Sequence, residues 1–275
     1  DDLMKMAADS AINSGTVTTF KGIRIMNGHS VETVGKNNLD FLISHRFGEI
    51  NQGIKEFFGL DAGTIRLGLE YGLTDRFMVG IGRSSFQKSV DIFAKYRVFR
   101  QTAGNTEMPL SLTAFGSYAV RTQQPFGMSL SGADRSSYTG QLLIARKFSE
   151  RFSLQLSPSF IYRKLTDEVG DKQLVVATGV GGRLKLTKRT SLNGEWFYVL
   201  PNQISTLYTN NLSFGFDIET GGHVFQLLFT NSYGMAERQF ITETNGAWNK
   251  GDVHFGFNIS RTFSFNKKAR YHEKY

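Results

Sequence analysis

The chain has 275 residues, 40 % hydrophobic, 13 % aromatic and 20 % charged, with a formal net charge of +8, 29 glycines, 4 prolines and no cysteine. That length fits one large domain or two small ones, and the missing cysteines exclude disulfides and thiolate metal sites. No stretch reaches the roughly 18 uninterrupted apolar residues of a membrane helix, and the surplus of positive charge comes without the basic stripe or motif of a nucleic-acid binder. A helical membrane bundle and a nucleic-acid partner are both excluded.

The chain opens at Asp1-Asp2 with no basic start and no apolar h-region, which reads as a mature protein whose signal peptide has been removed. Leu3, Met4, Ala7, Ala8 and Ile12 suggest a short weak helix. An extended piece over 16–26 follows, then the turn Asn27-Gly28-His29-Ser30. Residues 1–37 do not fit the pattern of the rest. They form a segment that lies in the periplasm, plugs a lumen or supplies an additional strand pair, the first two being the expectation.

From residue 38 onward apolar residues recur at every second position. Ile65, Leu67, Leu69 and Tyr71 alternate with Arg66, Gly68, Glu70 and Gly72; Leu212, Phe214, Phe216 and Ile218 alternate with Ser213, Gly215, Asp217 and Glu219. Successive side chains of a strand point to opposite faces, so each segment has one apolar face and one polar or very small face. Strands are expected at 38–47, 62–72, 76–84, 88–99, 109–120, 137–148, 151–163, 173–187, 189–199, 209–220, 223–231 and 252–264. Most run about 9–13 residues, near the 9–11 that a tilted strand needs to cross a bilayer; strands of soluble domains are nearer 5–6.

The connections alternate in length. Short ones at Leu73-Thr74-Asp75, Ser149-Glu150, Lys188 and Gly221-Gly222 separate long ones at 48–61, 121–136, 164–172, 200–208 and 232–251, as in bacterial barrels with short periplasmic turns and long outer loops. The connections at 85–87 and 100–108 break the rhythm. In the long loop 48–61, Ile50, Ile54, Phe57 and Phe58 stand at helical spacing; packing of this loop on its neighbours is favoured over a short helix across the mouth or a contact with lipopolysaccharide or a partner. On the outward register, mid-strand positions such as Ile43, Leu67, Leu154 and Phe257 are uncharged, and His45 and Arg146 fall near strand ends. Tyr71, Phe77, Tyr96, Phe152 and Phe263 sit at one interface, Trp196 and Tyr198 nearer the other, as aromatic girdles do. The fold expected is an all-β, antiparallel up-and-down transmembrane barrel of about 12 strands over 38–265, with a basic periplasmic tail over 266–275.

The stretch His45-Arg46-Phe47-Gly48, then Phe58-Gly59-Leu60-Asp61 and Leu69-Glu70-Tyr71-Gly72-Leu73-Thr74-Asp75, resembles an uncharacterised family of outer-membrane β-barrels from Bacteroidota. So do Asn27-Gly28-His29-Ser30-Val31-Glu32, Val79-Gly80-Ile81-Gly82-Arg83-Ser84, Lys95-Tyr96 and Thr220-Gly221-Gly222-His223-Val224-Phe225-Gln226. The resemblance covers nearly the whole chain and implies an outer-membrane location, with outer-membrane lipid and lipopolysaccharide as surroundings. It brings no established activity.

Catalytic chemistry is not indicated. The histidines His29, His45, His223, His254 and His272 are scattered, without an HExxH pair. His254 and Ser260 share the lumenal face but are separated by six residues of strand, roughly 20 Å. No metal, cofactor or catalytic residue is expected. The inward register instead carries Arg46, Arg66, Lys95, Arg97, Arg183 and Lys185 against Asp40, Glu70, Asp91, Glu195, Asp217 and Glu219. Two readings stand side by side: a charged water-filled pore whose transverse field sorts solutes, or a lumen filled by cross-strand ion pairs. A dozen strands lies between the filled barrels of about 8 strands and the open channels of 16–18. The function expected is a narrow porin-like channel for small polar or charged solutes; the alternative is a non-catalytic subunit of a larger envelope complex for secretion, uptake or barrel assembly.

Overall fold

In the computed structural model, which describes residues 15–103, 108–220 and 223–265, twelve strands close into one antiparallel barrel. They are β1 Asn38–Glu49, β2 Gly63–Gly72, β3 Phe77–Ser84, β4 Ser89–Phe99, β5 Ser111–Arg121, β6 Ser136–Lys147, β7 Phe152–Arg163, β8 Leu174–Lys185, β9 Thr190–Val199, β10 Asn211–Thr220, β11 His223–Thr230 and β12 His254–Ser264. Each pairs with its neighbours in sequence, and β12 closes on β1 through Ile259 opposite Ile43. The alternation located every strand end to within two residues. The suggested helix over Leu3–Ile12, the turn Gly221-Gly222 and the tail 266–275 lie outside the described residues.

The wall has two faces because the side-chain period is two. Leu67, Ile81, Ile92, Leu142, Leu156 and Phe216 look outward, while Arg46, Glu70, Asp91, Gln155 and Asp217 look inward and are buried. Closure leaves no strand edge, so the ladder N–H and C=O groups pair within the sheet apart from the irregularities at 254–256 and 97–99, the condition for standing in hydrocarbon. Rings join into a band at the loop end of the outer face. His45 lies 4.4 Å from Phe47, Phe47 5.8 Å from Phe255, Phe255 5.5 Å from Phe229 and Phe229 5.9 Å from Phe214. At the turn end the Arg261 guanidinium lies 4.9 Å from the Phe263 ring and that of Arg146 lies 5.3 Å from Phe148. Long cationic stems thus run along apolar surface with their heads at the interface.

The loop after β1 departs from the sequence reading. It forms turns of 3-10 helix over Ile50–Gly59 instead of a regular α-helix, and packs on its neighbours at its start, where Ile50 N–H donates to the Val253 carbonyl at 2.9 Å and Asn51 to Asp252 at 2.7 Å. Phe57 and Phe58 take left-handed φ of 44° and 54°, and Ile54 is 82 % exposed. Ile54 rises from the rim, and Phe57 and Phe58 are about half exposed beside it.

Candidate functional site: a lumen closed by two inserts

The interior is occupied from both ends. Residues 15–16 pair with 102–103 in the connection between β4 and β5, at the turn end. The chain then climbs the lumen, reverses at residues 25–28 and returns to Asn37 at the same end. The reversal is a hairpin: Ile25 N–H donates to the Gly28 carbonyl at 2.8 Å, and Ser30 N–H to Ile23 at 2.9 Å. All residues from 23 to 32 are buried. The Asn27-Gly28 turn was legible in the sequence; its place inside the barrel was one alternative among three.

Two kinds of contact seat this hairpin. Its backbone is hydrogen-bonded by wall side chains, as buried peptide groups require. The Glu195 carboxylate accepts the N–H groups of Met26 at 3.2 Å, Asn27 at 2.7 Å and Gly28 at 3.0 Å. Arg46 donates to Asn27 Oδ1 at 2.8 Å, Asn258 to the Met26 carbonyl at 2.9 Å, and Lys95 Nζ to the Glu32 carbonyl at 2.6 Å. Gln155 both donates to the His29 carbonyl and accepts from Val31 N–H. Apolar side chains do the rest: Phe20, Ile23, Ile25, Val31 and Val34 of the hairpin pack with inward-facing Met78, Phe93, Phe115, Leu143 and Ala145. Each such burial stabilises by roughly 1.5–3 kcal/mol.

The second insert enters from the loop end. The connection from β11 to β12, residues 231–253, folds inward as a lid carrying a short helix, α1 Glu237–Thr242, every residue of which is buried. Phe240 and Ile241 pack on inward Ile161, Val175, Ala177, Phe197 and Val199, with the Phe240 and Phe197 rings edge to face at 5.1 Å. An ionic network ties the helix to the wall. Arg163 pairs with Asp171 at 2.9 Å and approaches Glu243 at 3.8 Å; Arg238 pairs with Glu243 at 2.5 Å and reaches Asp167, which also pairs with Arg121. This lid was read from sequence only as a long outer loop.

The two inserts meet in the lumen. Glu237 Oε1 of the lid lies 3.4 Å from His29 Nε2 and 3.8 Å from Arg24 Nη1 of the hairpin. The His29 ring sits 4.4 Å from Phe115 and 4.6 Å from Phe93, and neither of its nitrogens makes a hydrogen bond. Burial, then the positive charges of Arg24, Lys95 and Arg66, hold its pKa well below the ordinary histidine value. Burial pushes the Glu237 carboxyl upward, opposed chiefly by Arg24. On the wall beside them Arg66 pairs with Asp91, and Glu70 is buried with both carboxylate oxygens free of hydrogen bonds.

The inward charges named from sequence therefore divide by partner. Arg46, Lys95, Arg97 and Glu195 hold the hairpin, Arg97 through Thr33 and Glu219 through Lys21 at 2.6 Å. Arg66 and Asp91 pair across strands; Arg183 donates to Ser191, and Asp217 accepts from Gln226. Lys185 stands opposite Ser191 at the turn end of the wall. Tyr71, Phe77, Tyr96, Phe152, Trp196, Tyr198 and Phe263 are on the outer face, none of them buried. Solvent cavities of about 270 Å³ and 370 Å³ remain at the turn and loop ends, the first lined by Lys21, Glu32, Asp40 and Arg100, the second by Glu49, Gln52, Tyr233 and His254. The His254 ring is engaged with the Phe47 carbonyl at 2.9 Å. Among the described residues no group of three or more histidine and carboxylate side chains is arranged to hold a metal.

Residues 20–263 match the sequence profile of the family described as Membrane bound beta barrel domain (DUF5777). The chain belongs to that family. As a member it is an outer-membrane β-barrel, and the match begins inside the hairpin, at Phe20, so most of the insert is part of the family's domain. No curated protein matches it. Among solved structures it is similar to the NanC porin, with a TM-score of 0.52, 8 % identity, and 82 % of this chain and 100 % of that chain covered. The KdgM porin gives 0.47 at 10 % identity, covering 83 % and 99 %. Omp33 from Acinetobacter baumannii gives 0.45 at 8 %, also covering 83 % and 99 %. At these identities the likeness is one of fold.

Proposed function

We propose that this family barrel is a narrow, non-catalytic, porin-like channel for small polar or charged solutes, held shut by its two inserts in the conformation described. The observation that carries the reading is the set of inward wall charges of both signs, with open clefts at both mouths. Among the described residues the space between is taken by the hairpin and the lid, which pack on an apolar stretch of the wall and are not part of it. A Bacteroidota source belongs to the same reading and is supported by the motif resemblance.

The test is single-channel conductance in planar bilayers, for the full chain and for the chain lacking residues 17–36. Rare openings of the first and a steady conductance of the second are expected. Silence from both removes the channel reading.

A second reading is favoured by the rim of β1–β2, where Ile54, Phe57 and Phe58 stand exposed and the two phenylalanines sit on strained, left-handed backbone. Strain of this kind persists where function requires it, and these side chains suit a protein partner of the envelope. Gentle solubilisation and pull-down tests it: co-purification that is lost in Phe57→Ser/Phe58→Ser supports a complex subunit, and a barrel that always migrates alone argues against one.

A further inference from the structure

The lid completes the charge balance at the meeting point of the inserts. Arg24 feels Arg66, Glu70, Glu237 and Asp91, and Glu70 in turn lies in the field of Arg24, Arg66 and Lys95. With the lid in place the cluster holds three cations, Arg24, Arg66 and Lys95, and three carboxylates, Glu70, Asp91 and Glu237, around a neutral His29. Without the lid it holds three cations and two carboxylates. The missing charge is supplied by Glu237 alone, from an element that is not part of the wall.

The Oε1 atom of Glu237 is also loosely held. Arg24 Nη1 makes its short bond, 2.8 Å, to the Asn27 carbonyl, leaving Glu237 Oε1 at 3.8 Å and without a hydrogen bond. A carboxylate designed into a permanent ion pair would sit nearer 2.7–2.9 Å. The ionic network on the far side of α1 is balanced by itself, with Arg121, Arg163 and Arg238 against Asp167, Asp171 and Glu243.

We infer that Glu237 is a tethered stand-in for an anionic solute: when the lid lifts, a small carboxylate entering from the loop mouth takes the same seat beside Arg24 and His29. The lid then competes with the solute for one positive site, and the solute's charge keeps the lid from closing. This assignment rests on the channel reading and adds the solute class to it. A neutral solute of the same size has no means of replacing the lost charge in a site screened from water.

The test uses the full chain in detergent, with gluconate as the charged probe and glucose as the neutral control, read by the thermal unfolding midpoint. Glu237→Gln keeps the shape of the lid and removes its charge. Gluconate should raise the midpoint of E237Q at a concentration at least about tenfold lower than for the unaltered chain, since the competing conformer is weakened. Glucose should do nothing to either, and E237Q/R24Q should lose the response. Equal sensitivity of E237Q and the unaltered chain, or an equal effect of glucose, overturns the assignment. Bilayer recording separates the two readings. A gluconate response in chains that never conduct leaves the seat standing and removes the channel. Conducting chains with no preference for gluconate keep the channel and remove the seat. If E237Q does not fold, Glu237→Ala serves in its place with the same outcomes.

Discussion

The Glu195 carboxylate accepts the backbone N–H of Asn27 at 2.7 Å, so one wall side chain grips the tip of the hairpin through main-chain atoms. The neighbouring N–H groups of Met26 and Gly28 share it. A hydrogen bond to a charged group contributes about 1.5–3 kcal/mol, and stranding a buried donor costs a further desolvation penalty. Glu195→Ala should loosen the hairpin by at least about 3 kcal/mol while the barrel stays closed. Protease cleavage within 17–37, with heat-modifiable gel migration of the barrel unchanged, is the expected outcome.

Gly72 makes room for the returning arm. A Cβ at this position would lie 2.0 Å from the Gly35 carbonyl oxygen and 2.7 Å from that of Val34, and backbone atoms cannot step aside as a flexible side chain can. Gly181 does the same for Ile25, whose Cδ1 would be 2.4 Å from a Cβ. Gly72→Ala should expose the hairpin to protease as Glu195→Ala does. Gly132→Ala, with nothing within 4 Å, should be silent.

Acid should open the lumen through His29. Its depressed pKa, caused first by burial and then by Arg24, Lys95 and Arg66, means that the closed state binds fewer protons there than an open state with a hydrated ring. Its contribution to closure is complete above the ordinary value of 6.5 and is lost as pH falls towards the depressed one. Hairpin protection from protease, followed from about pH 8 to about pH 5, should fall with acid in the unaltered chain and fall less in H29F.

Arg163 is the anchor of the lid. It is fully buried, donates to the Thr242 carbonyl at 3.4 Å and hydroxyl at 3.2 Å in the lid, and pairs with Asp171 of the β7–β8 connection at 2.9 Å. Removing one partner of a buried pair costs about 3–5 kcal/mol because the other is left uncompensated. Arg163→Met should free the lid, seen as faster hydrogen exchange over 235–244, with little change over 23–32.

The outer face obeys the bilayer. Leu156, 44 % exposed near the middle of β7, should tolerate arginine poorly, at a cost of about 2–4 kcal/mol, whereas Phe152→Arg at the turn-end interface should incur about 0–1 kcal/mol from its charge. Unfolding titrations in lipid vesicles measure both; equal costs would contradict the register.

The wall was legible in the sequence because a strand alternates strictly, and a one-residue slip would turn Arg66, Glu70 and Asp91 out to lipid. The inserts were less so. Asn27-Gly28 marks a turn wherever it lies, and nothing local distinguishes a hairpin in the lumen from one in the periplasm. The signal was on the wall: Phe93, Phe115 and Phe197 fall on the inward register, and the places of Phe93 opposite Gly80 and of Phe197 opposite Gly179 announce apolar material inside. The lid left a similar trace in Met235-Ala236 and Phe240-Ile241, apolar pairs within a long outer loop. The meeting of Glu237 with Arg24 and His29 left none, since it joins two segments over 200 residues apart that share no ladder.

Both arms of the hairpin leave by the mouth through which they enter, at residues 15–16 and at Asn37, and both ends of the lid return to the opposite mouth. Over the described residues neither insert runs from one mouth to the other. Either insert can therefore withdraw as a folded loop while every ladder stays intact, and the last strand can meet the first during assembly before the interior is filled. Emptying and refilling such a barrel breaks side-chain contacts and a few main-chain bonds, such as that from Thr209 N–H to the Thr244 carbonyl at 2.7 Å.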